Sequence, residues 1–230
     1  DPVNLTRQIA AASIDSTITT SIPLHTGWNI IGNPFNRDIK WSDVVSRNGL
    51  AQNSLIYSWS GAWTFPATME PFKGYYFLNG DSRANLRLSY PVGQALSKTG
   101  IPEMIRLPDR RVRISFGQTE VVAGFSASAL TGEDTCDYRL PAVSFSKSDV
   151  ALVSSNHSDV ERHFIVQAQN DDSLGNSFRL KVRNTTERSS ELSLDLDKLD
   201  AGESVWLIDE KYGEFLDLRV KDKFMIAPQN

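Results

Sequence analysis

The sequence predicts an all-β protein: an N-terminal aromatic-rich β module over residues 1–95, followed by an Ig-like antiparallel β-sandwich over residues 96–230. Three observations carry this expectation. Apolar and polar residues alternate with period two through much of the second half, and helical periodicity is scarce. In the first half, aromatic strand formers are separated at short intervals by turn residues.

Taken in chain order, Val3 to Ala12 reads as a short helix. Trp28, Ile30 and Ile31 are strand formers, and Gly32-Asn33-Pro34 ends their strand. Pro34 has no N–H for a ladder and pushes Asn33 into an extended conformation. Trp28 is the expected core anchor of this strand. Asp38 to Asn48 predicts a second short helix, with Ile39, Val44 and Val45 partly on one face and Gly49 as its stop. Leu55 to Phe65 reads as a hairpin about a two-residue Ser60-Gly61 turn, and Glu70 to Phe77 as a further aromatic strand segment. The stretch from Pro91 to Pro102, with a proline and a glycine at each end of a polar middle, is the expected linker.

In the second half, Val112, Ile114 and Phe116 alternate with Arg111, Arg113 and Ser115. Phe178, Leu180 and Val182 alternate likewise with basic residues, and Leu192, Leu194 and Leu196 with Ser193, Asp195 and Asp197. Each set predicts a strand with one buried and one wet face. Phe164-Ile165-Val166 and Val205-Trp206-Leu207-Ile208 are continuous apolar runs that read as central strands, and Lys211-Tyr212-Gly213 reads as a turn back into Phe215 to Leu218. No internal repeat links the two halves.

Composition excludes several classes. Hydrophobic residues are 40% and aromatics 10% of the 230 residues, enough for a packed core. Net charge is −4, and without a Lys/Arg block there is no electrostatic case for nucleic acid. Apolar runs fall far short of the roughly 20 residues that span a bilayer, so no membrane insertion is expected, and no signal peptide is legible. Cys136 is the single cysteine, which leaves no intrachain disulfide and makes packing the source of stability.

The segments Gly27 to Pro34 (Gly-Trp-Asn-Ile-Ile-Gly-Asn-Pro), Tyr57 to Trp63 and Pro71 to Tyr76 together resemble a small β module that recurs in large proteins secreted by the bacterial type IX system. The resemblance covers about the first third of the chain. Ala201 to Asp209 and Gly213 to Leu218 are similar to the stretch just upstream of the sorting domain in such cargo. So is the central part formed by Arg111 to Phe116, Ala123 to Phe125, Asp134 to Asp137 and Leu140-Pro141. The resemblance implies a non-catalytic, extracellular or cell-surface accessory region whose partners are neighbouring domains of the same polypeptide. No sorting domain is visible before Asn230, and the chain starts at Asp1 without Met, so it reads as part of a longer polypeptide.

Cys136 lies in Glu133-Asp134-Thr135-Cys136-Asp137, where carboxylates oppose a thiolate, so a plain loop thiol is expected rather than a nucleophile. Gly124-Phe125-Ser126-Ala127-Ser128 lacks the second glycine of a nucleophile elbow. His157 and His163 are six apart and His25 is remote, a spacing that suits neither a helical nor a strand-paired zinc site. No cofactor loop is present. Asp134 with Asp137 is the candidate calcium pair, with Asn170-Asp171-Asp172 and Asp195, Asp197 and Asp200 as further acidic clusters; a solvated acidic loop is the competing reading. The aromatics Trp28, Trp41, Trp59, Trp63, Tyr57, Tyr75 and Tyr76 either fill the core or stack on a polysaccharide, and Trp63 and Tyr75 are the candidate stacking residues. Asn4, Asn156 and Asn184 head glycosylation sequons that a bacterial origin makes chance matches. The expected function is thus an accessory spacer and interaction scaffold, with a carbohydrate-binding module as the alternative and part of a secreted hydrolase third.

Overall fold

A computed structural model describes residues 19–91, 105–130, 133–141, 146–155, 161–170, 176–196 and 198–229. The helix expected at Val3 to Ala12 and, but for Pro91, the expected linker lie outside these residues, as do Asn156, His157, Asp171, Asp172 and Asp197. The chain divides into two compact units, Asp1–Ser58 with Phe65–Pro102, and Trp59–Thr64 with Glu103–Asn230.

The first-unit region runs β1 (Thr19–Pro23), β2 (Gly27–Gly32), β3 (Ile39–Lys40), α1 (Trp41–Asn48), β4 (Ile56–Trp59), β5 (Trp63–Thr64), β6 (Thr68–Met69), β7 (Gly74–Asn79) and β8 (Asn85–Ser89), with β5 counted in the second unit. β7 pairs antiparallel with both β2 and β4, setting Ile31 opposite Tyr75 and Ile56 opposite Phe77. β1 pairs with β8 and β3 with β6, also antiparallel. The inward face carries Ile31, Ile56, Tyr75 and Phe77, and α1 adds Trp41, Val44 and Val45 at helical spacing. Trp41 is 0% exposed, with its ring edge-on to Phe77 at 5.6 Å and its indole N–H donated to the Ser54 carbonyl at 2.7 Å. α1 starts later than expected, because Ile39 and Lys40 are drawn into a ladder with Thr68–Met69. It stops as expected at Gly49, whose left-handed φ of 57° suits a residue without Cβ.

Trp28 corrects an expectation. The strict alternation of β2 turns Asn29 and Ile31 inward, so Trp28 is half-buried on the opposite face, edge-on to Tyr57 at 5.0 Å. The hairpin turn is also longer than expected: Ser60, Gly61 and Ala62 separate β4 from β5, and the Ser60 N–H is donated to the Ala62 carbonyl.

The second unit holds β9 (Arg110–Phe116), β10 (Thr119–Phe125), β11 (Tyr138–Arg139), β12 (Ser148–Ser155), β13 (Glu161–Gln169), β14 (Arg179–Asn184), β15 (Ser190–Asp195), β16 (Trp206–Asp209), β17 (Glu214–Asp217) and β18 (Lys223–Ile226). Its main sheet runs β14-β12-β13-β10-β9-β15-β18, with β11 added on β13. The strands expected around Ile114, Leu180 and Leu194 are β9, β14 and β15, and Phe164 to Val166 lies in the central strand β13. All pairs in this sheet are antiparallel except β10 with β13. That parallel pair is possible because the long connection between them contains β11 and β12. Gly124 in β10 is needed for close approach: a Cβ there would meet the Arg110 carbonyl oxygen at 2.5 Å and Pro108 Cβ at 2.7 Å.

The main sheet curls until its two edges meet at Asn184. The buried Asn184 amide donates to Ile226 O (2.8 Å) at the end of β18, and Asn184 O accepts the Gln229 N–H (2.7 Å). Inside the curl, Ile114, Phe116, Val121, Leu152, Phe164, Leu192 and Phe224 form the core. The fold is all-β, with one helix among the described residues.

Candidate interaction surface

Three buried asparagines hold the first unit's loops, and two of them, Asn29 and Asn33, lie in the Gly27 to Pro34 segment of the sequence resemblance. Asn29 Oδ1 accepts the His25 N–H at 3.0 Å, while its amide donates to the His25 and Gly27 carbonyls. Asn33 accepts the Phe35 N–H at 2.9 Å and donates to Arg37 O and Met69 O, both at 2.8 Å. Asn79 repeats the pattern with the Arg83 N–H, Arg83 O and His25 O. A buried amide left unpaired is costly, so such saturated asparagines fix loop geometry.

Tyr75, an expected stacking residue, is corrected by its burial. Its side chain is 2% exposed and its hydroxyl accepts the Glu70 N–H at 2.7 Å, so no ring face is open to a sugar. The same burial raises its hydroxyl pKa above the usual tyrosine value. Trp63 is half-buried, edge-on to Trp59 at 5.2 Å and packed against the second unit's core.

Asp134 and Asp137 use their oxygens on backbone N–H groups. Asp134 accepts from Cys136 (2.6 Å) and Leu130, and Asp137 from Ala168 (2.9 Å) and Asp134 (3.1 Å). The pair therefore staples the loop before β11, and among the described residues no group of three His, Cys, Asp or Glu is arranged for a metal. Burial pushes the Asp137 carboxyl up to about 6, outweighing its two N–H donors, with the negative charges of Asp134 and Glu133 adding to the rise. Cys136 is half-buried, with Sγ 3.5 Å from Ser128 Oγ, which in turn lies 2.9 Å from Ser126 Oγ. His163 bonds instead to Glu161 at 2.7 Å, and Lys181 and His163 together hold Glu161 below the usual carboxylate range. Ser126 and Cys136 thus share a hydrogen-bonded chain through Ser128, while His163 bonds to Glu161 in a separate group, so neither nucleophile candidate is paired with that imidazole as its base.

The exposed apolar chemistry lies elsewhere. Of Val205 to Ile208, expected as a central strand, Trp206 to Ile208 lie in β16, which forms a two-stranded ribbon with β17. Leu207 and Leu216 pair across the ribbon and pack on the second unit's core, while Trp206 (53% exposed), Ile208 and Phe215 (67% exposed) face away from it. Apolar residues on both faces made the run look doubly buried. Tyr212 at the ribbon tip is 69% exposed, with the Lys211 ammonium 5.0 Å from its ring centre. The turn at Lys211-Tyr212-Gly213 is as expected, tied by Asp209 Oδ1 to the N–H groups of Lys211 and Tyr212. The turn was the only sequence signal that β16 belongs to an isolated hairpin.

Compared with family models, with curated proteins and with solved structures, the chain has no match in any of the three.

Proposed function

We infer that the chain is a non-catalytic accessory region of a secreted or surface-attached bacterial protein, acting as spacer and interaction scaffold between neighbouring domains of the same polypeptide. One observation carries the non-catalytic part of this reading. The candidate ligand and stacking groups Asp134, Asp137 and Tyr75, together with the buried asparagines, are hydrogen-bonded to the chain's own backbone, and His163 is paired with Glu161 rather than with Ser126 or Cys136. The extracellular setting and the type IX secretion route rest on the likeness of Gly27 to Pro34, Tyr57 to Trp63 and Pro71 to Tyr76 to cargo modules. A disulfide-free chain of this size and burial is compatible with that setting. The carbohydrate-binding alternative on Trp63 and Tyr75 is weakened by the burial of Tyr75.

The test is an assay of the purified chain on peptide and glycan substrates. The reading expects hydrolysis at the buffer rate. Activity abolished by Cys136→Ser or Ser126→Ala would replace it with the hydrolase reading.

A further inference from the structure

We propose that the β16–β17 ribbon is a docking site for an extended, basic protein segment, which adds as a strand to the ribbon's open edge and lays alternate apolar side chains over Trp206, Ile208 and Phe215. The proposal deepens the scaffold reading and rests on it.

The first support is geometric. The ribbon is anchored from one side through Leu207 and Leu216, so its other face is held rigidly and outward. Ile208 and Phe215 are directly paired, and Trp206 lies two residues along the same face, making a continuous apolar stripe. Such a stripe on a solvated surface marks an interaction site more often than chance exposure does. The second support is the edge. Among the described residues each ribbon strand has one ladder partner, and because the Asp217 carbonyl of β17 already accepts the Val220 and Lys221 N–H groups, the open edge is that of β16. Proteins usually guard open edges with proline, bulges or inward charges; Trp206–Asp209 and Glu214–Asp217 contain no proline and pair in regular register, and the guard here is charge alone, Asp209 and Glu214 on the face of Leu207 and Leu216. Strand addition is the recognition mode such an edge permits.

Charge selects the partner. Of the four carboxylates from Trp206 to Asp217, Glu210 pairs with Arg179 at 3.3 Å, which sets Asp209, Glu214 and Asp217 against the one ammonium of Lys211. Asp209 and Glu214 are directly opposite in the ladder, a like-charged pair that a partner's Lys or Arg would neutralise. Aliphatic Ile208 in the middle of the stripe favours a protein segment over a glycan, whose rings stack on aromatic faces.

The experiment titrates the whole chain into a fluorescent synthetic peptide alternating Lys with Val, and follows anisotropy. Three controls run beside it: the same peptide with Glu for Lys, the same peptide N-methylated at alternate residues to block ladder bonds, and a neutral polysaccharide panel. The proposal expects saturable binding of the Lys peptide that weakens at least tenfold with each altered peptide, with Trp206→Ala and with Glu214→Lys, while both variants keep the parent urea midpoint. Equal binding by the Glu or N-methylated peptide, or by Trp206→Ala, would overturn it. So would binding of glycan alone, or concentration-dependent self-association lost in Trp206→Ala, which would assign the face to a sugar or to a second copy. No peptide binding by a chain that is also inert in the hydrolysis assay would remove the ribbon proposal and leave the scaffold reading intact.

Discussion

The first unit hides its tryptophans and tyrosines and the second displays two of them. Trp41, Tyr57 and Tyr75 are buried and Trp28, Tyr76 and Tyr90 half-buried, whereas Trp206 and Tyr212 of the second unit stand in solvent. Aromatic density in sequence is therefore a poor guide to where an aromatic surface is offered. The dense N-terminal block goes largely into packing, whereas the sparse C-terminal pair stays in solvent.

The largest expected effect in this contrast is at Trp41. Trp41→Ala empties a fully enclosed site and strands the Ser54 carbonyl, and is expected to lower the first unit's stability by about 3–5 kcal/mol. Next comes Asn184, which holds the curled sheet's edges in the second unit. Asn184→Ala leaves the carbonyls of Ile226 and Arg188 without their donor, and a loss of about 3 kcal/mol is expected, measured as a lower urea midpoint at unchanged slope. Trp28→Ala removes a half-buried ring and is expected to cost about 1–3 kcal/mol, visibly less than Trp41→Ala; equality of the two would break the assignment of faces in β2.

A smaller effect is expected from pH. Asp137 titrates near 6 in the folded chain against 3.8 unfolded, so between these values the folded state holds the extra proton. Its contribution to stability is therefore highest below about pH 4 and falls as pH rises through 6. Asp137→Asn should flatten that part of a thermal-stability profile recorded from pH 4 to 7, and an unchanged slope would contradict the burial assigned to this carboxyl.

The parts of the fold legible in sequence were those written in local pattern. β9, β14 and β15 follow from period two, α1 from Val44, Val45 and the stop at Gly49, and the β16–β17 turn from Lys211-Tyr212-Gly213. What stayed hidden depends on distant partners. The parallel pairing of β10 with β13 joins segments some forty residues apart in register, Val122 with Val166, and no local signal fixes it. Trp28 outranked Asn29 as a core residue by hydrophobicity, yet Asn29 is buried because backbone carbonyls around His25 and Gly27 saturate its amide. Nothing local marks Asn184 as a structural residue, since its partner Ile226 O lies far along the chain. Trp63 and Tyr75 belong to the dense block, where exposure is decided by packing rather than by composition.

The most direct test sets the smallest expected effect beside the largest. Urea denaturation of Trp206→Ala and Trp41→Ala, followed by far-UV circular dichroism, compares a displayed indole with an enclosed one. Trp206→Ala is expected to stay within about 0.5 kcal/mol of the parent while Trp41→Ala loses several-fold more. A loss at Trp206 as large as that at Trp41 would mean that the ribbon's outer face is part of a core, and the contrast between a hidden and a displayed aromatic set would fall.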